Sequence, residues 1–374
     1  MKKTVLLTLL LTFISCGTEE RHARNVILFI GDAGGLSVLT AAALHKGRPQ
    51  SLFIHRMAHH GLMDTSSTSD WNTDSAAGMT AIVTGYKTND GVISQSADAV
   101  RGQKDGKALK TILEYAEEKG LSTGVITDNK VAGATPGACY AHSNNRSKTA
   151  EIFLQLLSPL YGDGVDLLIG PEDGVLTEAS ANGQNPETDL RAKGYAVAKS
   201  LDQFKPTAQR AVVLLPTDEF DRETAVRRTI DILSRNPKGY FLMVEVDVHT
   251  DKLRRGLERV LVLDRLIEQT VKSVPEDTLV IFAADHSFDT QIVGGGPGQP
   301  LLPPDGAGDT DSATADPAIR VGDGHSGEDV LVAAQGPGAE RVKGFFPNTQ
   351  LFRIMMAAYG WEETKAPQQM SKVN

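Results

Sequence analysis

Several short apolar runs in this chain stop abruptly at a carboxylate, and that repeated ending limits the folds open to it. Asn25-Val26-Ile27-Leu28-Phe29-Ile30 runs into Gly31-Asp32, Tyr240 to Val244 into Glu245, and Thr278 to Ala284 into Asp285-His286. A continuous apolar run of this length suits a strand buried on both faces, as in parallel sheets. Ser122 to Thr127, Val165 to Ile169, Ala211 to Leu215 and Val330 to Ala334 also read as strands. Between the runs lie helical patterns at Leu36 to His45, Leu109 to Lys119, Thr149 to Leu157, Glu187 to Gln203, Arg222 to Arg235, Leu253 to Val274 and Leu351 to Ala358. In the longest, Leu257, Val260, Leu261, Leu263, Leu266 and Ile267 form one apolar stripe. The alternation predicts an α/β fold of three layers, α/β/α, around a mostly parallel sheet.

Sheets of this kind bind ligands beyond the carboxyl ends of their strands. Asp32, Glu245, Asp285 and His286 all fall there, and His325 lies in a glycine-flanked turn, Gly322 to Asp329, ahead of another strand. One acid at a strand end is commonly a helix cap or a lysine's partner. Four or five at matching positions point instead to metal, with mixed carboxylate and imidazole suiting zinc and oxygen-only sets suiting magnesium. The turn Gly31 to Gly35 lacks the G-x-G-x-x-G spacing, which argues against a dinucleotide site. Thr73-Asp74-Ser75-Ala76-Ala77 opens a helical stretch, placing the Ser75 hydroxyl where a helix dipole favours an anion. Taken alone, this stretch makes Ser75 a plain helix cap, and it is the ligand-type residues elsewhere in the chain that favour the anion site.

Six motifs then occur in order: Ile30-Gly31-Asp32; Thr73-Asp74-Ser75-Ala76-Ala77; Ala134-Thr135-Pro136 with Ala141-His142 and Arg146; Val244-Glu245; Ala284-Asp285-His286-Ser287; and His325-Ser326-Gly327-Glu328-Asp329-Val330. With them the chain resembles an alkaline phosphatase from residue 25 to about 360. The resemblance implies Ser75 as the phosphorylated nucleophile and Arg146 as the guanidinium that grips phosphate. It implies Asp32, Asp285 and His286 as ligands of one zinc, with Asp32 bridging to a magnesium held by Thr135 and Glu245. His325 matches a ligand of a second zinc. The implied reaction is hydrolysis of phosphate monoesters through phosphoserine, at two zinc ions and one magnesium.

The chain departs from the family pattern after Glu245, where Asp-x-x-x-His usually begins five residues later. Here Val246-Asp247-Val248-His249-Thr250-Asp251 follows. Asp247 and His249 are expected to complete the second zinc site with His325, because D-x-H on extended backbone puts both side chains on one side. Asp251 is the rival ligand, and a degenerate half-site with Asp247 capping the next helix is the alternative. Gly133 stands where relatives often carry Asp or His, which leaves the third metal's identity open. A diesterase of the same superfamily and a noncatalytic phosphate-binding surface protein are the competing functions. A sulfatase is disfavoured because Ser75 lacks a C/S-x-P-x-R context. His142 is expected to orient local structure rather than bind metal.

Composition narrows the setting. Of 374 residues, 40% are hydrophobic and 23% charged, ordinary for a folded globular chain. The net charge of −9, without a basic run, argues against a nucleic-acid partner. Lys2 and Lys3 precede the apolar Val5 to Ile14, too short to span a bilayer but right for a signal peptide over residues 1–15. Phe13-Ile14-Ser15-Cys16 resembles a bacterial lipobox, which predicts cleavage before Cys16, a lipid anchor on it and an acidic tether over 16–24. Cleavage removes two lysines and no acid, taking the charge from −9 to −11. These features predict an exported protein, periplasmic or attached to the outer membrane or cell surface of a bacterium. Residues 25–374 are expected to form one domain, with a Gly/Pro-rich insertion at about 294–324 read as a flap or a disordered loop. Cys139 is expected to be a packing residue. A homodimer is compatible with the sequence, which does not specify one.

Overall fold

The structure, a computed structural model, describes residues 21–302 and 318–361 apart from positions 182, 184, 206 and 300. The expected leader, Cys16, most of the tether and the centre of the Gly/Pro-rich insertion lie outside the described residues. The strands in chain order are β1 (Asn25–Asp32), β2 (His59–Asp64), β3 (Ser122–Thr127), β4 (Leu167–Pro171), β5 (Ala196–Ala198) and β6 (Ala211–Leu215). They continue with β7 (Tyr240–Asp247), β8 (Thr278–Ala283), β9 (Ser287–Ile292), β10 (Ile319–Ser326), β11 (Val330–Gln335) and β12 (Gly344–Pro347).

Ten of these form one sheet in the order β12-β2-β11-β8-β1-β7-β3-β4-β6-β5. All pairs are parallel except those of β11, which runs antiparallel to β2 and to β8. β1 sits between β7 and β8, and its apolar residues alternate between two cores. Leu28 and Ile30 pack on one face with Met79, Ile82 and Val83 from the helix Ser75–Thr84. Ile27 and Phe29 pack on the other with Leu257, Val260 and Leu263 from the helix Leu253–Ser273. Both faces of the sheet are therefore covered by helix, the expected three-layer architecture, and the fully apolar run of β1 follows from burial on both sides.

Two readings from periodicity are corrected. Glu187 to Gln203 is not one helix: a helix spans only Pro186–Ala192, capped by Asn185, and β5 then forms at the sheet edge. Gly194 at φ +89° breaks the helix there, a backbone state that residues with a Cβ rarely adopt. His325, expected in a turn, lies in β10, which pairs antiparallel with β9 as a hairpin outside the main sheet. The 319–324 end of the Gly/Pro-rich stretch is thus strand, not irregular loop. Its polar, glycine-rich composition hid the pairing because one face of the hairpin is half exposed.

Candidate active site

The carboxyl ends of β3, β7, β1 and β8 lie side by side and carry most of the site. Strand register puts Thr127 opposite Glu245, Ile30 opposite Glu245 on the other side, and Asp32 opposite Asp247. Two residues after β8 come Asp285 and His286, both fully buried. The helix Ser75–Thr84 reaches this edge closely: a Cβ on Gly78 would lie 2.4 Å from the Asp285 carbonyl oxygen, so only glycine fits. The small residues after Ser75 serve that approach.

Ser75 is the first residue of its helix, and Asp74, not Ser75, is the cap. One Asp74 carboxylate oxygen accepts from Ala77 N at 3.0 Å. The other accepts from Gly91 N at 2.9 Å and from Arg146 Nη1 at 3.0 Å. Asp74 therefore fixes the helix start and the arginine fork together. Burial would raise its pKa, but Arg146 and the two backbone donors hold it below the usual value. The Ser75 hydroxyl lies 3.1 Å from His286 Nε2.

That imidazole is oriented for donation. His286 Nδ1 faces the Ser287 carbonyl at 3.3 Å; a carbonyl only accepts, so the proton sits on Nδ1 and Nε2 keeps a lone pair. Asp32 Oδ1 lies 3.2 Å from the same Nε2, and Asp285 Oδ2 3.8 Å from it. Asp32 Oδ1 is buried with no hydrogen-bond partner among the described residues, an unusual state for a carboxylate oxygen. Glu245 is buried beside Asp32 and Asp285; its carboxyl accepts from Thr127 Oγ1 at 2.5 Å. Burial and the Asp32 charge push its pKa well up, and burial lifts that of Asp285 to about 6. Thr135, in the first turn of the helix Ala134–Tyr140, reaches Asp285 Oδ2 at 3.4 Å. Three buried carboxylates, an orphaned oxygen and a lone-pair imidazole fit divalent cations, which would supply the missing positive charge.

The second half of the constellation is built from His249, His325 and Asp247. His249, His286 and His325 bring one nitrogen each within 4.8 Å of one another, and Asp32, Asp247 and His249 do the same with their donor atoms. His325 Nδ1 donates to the Thr73 carbonyl at 3.0 Å, which leaves Nε2 free to ligate. Burial lowers the His325 pKa, and His286 adds to this, to about 4. Burial would lower that of His249 too, but Asp32 and Asp247 raise it to about 9. Asp247 Oδ1 meets His249 Nδ1 at 2.7 Å, and its Oδ2 lies 3.3 Å from Arg259 Nη1. Asp247 does not cap the next helix, whose N-cap is Lys252. Asp251 is exposed and belongs to no converging donor group among the described residues.

His142 bonds Glu114 at 2.8 Å and Ser94 O at 2.7 Å, an orienting role. Cys139 is buried, as expected. Asp128 and Glu328 escaped the sequence reading. Asp128, directly after β3, accepts Asp247 N at 2.7 Å and Arg222 Nε at 2.8 Å. It carried the same strand-end signal as Asp32. Glu328 accepts from Ser37 and Ser287 hydroxyls, tying the His325 hairpin to the β1 turn. No spacing announces that contact.

The family model described as alkaline phosphatase matches residues 23–156 and 221–300, more than half of the chain. An alkaline phosphatase of Gadus morhua is 28% identical over 430 residues, covering 87% of this chain and 89% of its own. The structure of the alkaline phosphatase from the Antarctic bacterium TAB5 is similar over 92% of this chain and 100% of its own, with TM-score 0.75 and 21% identity. A mutant of that enzyme, described with magnesium bound in its M3 site, has the same TM-score and coverage at 22% identity.

Proposed function

Because the chain belongs to the alkaline phosphatase family, we propose that it hydrolyses phosphate monoesters to an alcohol and inorganic phosphate through phosphorylated Ser75. The observation that carries this reading is the convergence of Ser75, Arg146 and the buried acids on one strand edge. Arg146 engages Asp74 through Nη1, which presents the rest of its planar fork to two phosphate oxygens. The N–H groups that open the Ser75 helix add to the same anion site. Asp32, Asp285 and His286 would hold one zinc, Asp247, His249 and His325 a second, and Asp32, Thr135 and Glu245 a magnesium. Such ions supply the charge that an alkoxide nucleophile and a departing alkoxide require.

Seated against Arg146, the phosphorus faces Ser75 Oγ. The Ser75–phosphorus bond forms as the bond to the alcohol oxygen breaks on the opposite side, and water then cleaves phosphoserine. Arg146 remains on the phosphate through both displacements and favours a dianionic monoester over a diester. Hydrolysis of a chromogenic monoester tests the reading. Activity should vanish in Ser75→Ala and after chelation, and return to the wild type with zinc and magnesium. Full activity in Ser75→Ala, or indifference to chelation, would reject it.

We also propose that the protein is exported and lipid-anchored, on the strength of Lys2-Lys3, the Val5 to Ile14 run and Ser15-Cys16. Cys16→Ala should move it from the membrane to the soluble fraction of expressing bacteria; unchanged membrane association would refute the anchor.

A further inference from the structure

Trp71 is 85% exposed, the highest value among the described large apolar side chains, and it stands four residues before Ser75. The residues on either side of it are hydrogen-bonded in place. Ser67 N donates to Asp70 O at 3.0 Å, Asp70 N to Ser67 Oγ at 2.9 Å, and Asn72 N to Asp70 Oδ1 at 3.1 Å. Asn72 Nδ2 then donates to the His325 carbonyl at 2.8 Å. The Trp71 carbonyl lies against Gly327, where a Cβ would come within 3.1 Å of it. The indole therefore projects into water from a fixed point on the His325–Gly327 segment. A single exposed apolar side chain is common on protein surfaces, so what gives this indole weight is its place beside Ser75 and the His325 segment.

The position of the loop says what the indole would contact. Ser75 Oγ lies 3.1 Å from His286 Nε2, and the His286 ring stacks on that of His325 at 3.7 Å, so the nucleophile borders the same segment that braces Trp71. A group esterified to phosphate at Ser75 has Trp71 at the rim of the site on that side. Four residues of chain place Trp71 within about 14 Å of Ser75, the reach of a ring on a short linker. On the proposed phosphomonoesterase reading, we infer that Trp71 is a stacking platform for the leaving group and that the preferred substrates are monoesters of alcohols bearing a flat aromatic or heteroaromatic ring, aryl or nucleoside.

The test compares Trp71→Ala with wild type on phenyl phosphate, adenosine 5′-monophosphate, glycerol 2-phosphate and phosphocholine. The variant should lose about five- to tenfold in kcat/KM on the two ring esters and less than about twofold on the others, with Trp71→Phe restoring most of the loss. In Ser75→Ala, adenosine 5′-monophosphate should quench indole fluorescence, and Trp71→Phe in that background should abolish the quench. The other tryptophan, Trp361, stacks on Tyr359, whose hydroxyl bonds Tyr240 O at the far end of β7. Equal losses on all four esters, no loss, or a loss confined to phosphocholine would overturn the inference. Wild-type turnover of the two ring esters with no Trp71→Ala effect on them would refute this inference alone; no turnover of any ester would refute the phosphomonoesterase reading and this one with it.

Discussion

Glu117 offers a test of the fold's electrostatics far from the active site. It lies on the helix Ile112–Lys119, is buried, accepts a hydrogen bond from the Thr123 hydroxyl and shares one with Asp163. Burial, and then the Asp163 bond, push its pKa from 4.5 to about 10. The folded protein therefore keeps a proton that the unfolded chain releases above pH 4.5. Stability from this group is fully present below 4.5 and is lost as pH rises toward 10, at about 1.36 kcal/mol per pH unit. Between pH 5.5 and 8.5 that amounts to about 4 kcal/mol at most, and about half of it if the cluster relaxes on ionisation. Glu117→Gln keeps the shape, accepts from Thr123 and donates to Asp163, but it cannot ionise. Urea unfolding of both proteins at a series of pH values, with metals saturating, isolates the contribution of Glu117, since Asp166, raised by burial to about 6, is common to both. The variant should match wild type near pH 5 and exceed it by about 2–4 kcal/mol at pH 8.5, a midpoint difference of about 1 M urea. Parallel stability curves would refute the reasoning.

Three other perturbations probe the site. Asp74→Asn retains an N-cap but frees Arg146, so KM for a monoester should rise several-fold while stability changes by less than about 1 kcal/mol; an unchanged KM would exclude the positioning role. Chelation should lower Tm by several degrees, because a ligand at 1,000 Kd stabilises by about 4 kcal/mol and its loss leaves Asp32, Glu245 and Asp285 repelling one another. Zinc and magnesium together should restore it, and calorimetry with no shift would count against the metal assignment. Arg259→Met removes the cation on Asp247 and should weaken zinc binding about tenfold or more, read by competition with a chromophoric chelator; undiminished affinity would show that the arginine does not support this half-site.

The sheet was readable because burial on both faces forces near-continuous apolar sequence, and β1, β7 and β8 have it. β2, β9, β10 and β12 were not readable: all are exposed on part of their surface, β2, β9 and β12 span six residues or fewer, and β2 and β10 are interrupted by Gly, His and Asp, so no period betrays them. The residues that the structure gathers at the strand ends were legible for a similar reason, since a charge ending an apolar run is conspicuous. Contacts between distant loops were not. Glu328 reaches Ser37, and Asn72 reaches His325, across more than two hundred residues with nothing in either segment to signal the pairing.

The segment after Glu245 shows how strand geometry can bring two donor side chains together at close spacing. β7 continues through Asp247, and Val248 N extends the pairing by donating to Asp32 O at 3.1 Å. On that extended backbone Val248 turns into the core, 1% exposed, while Asp247 and His249 share the opposite side. A helical or looped segment would need the longer Asp-x-x-x-His interval to bring the two together; a strand does it with one intervening residue. The remaining demand is to hold the carboxylate. Arg259, 6% exposed, reaches it from the helix Leu253–Ser273 and is itself held by Asp218 at 2.7 Å and Glu219 at 3.2 Å. The close packing of that helix needs Gly256, where a Cβ would sit 2.2 Å from the His249 carbonyl oxygen. The strand extension and the arginine are therefore parts of one arrangement: Gly256 lets the helix start lie against His249, and that places Arg259 within reach of Asp247.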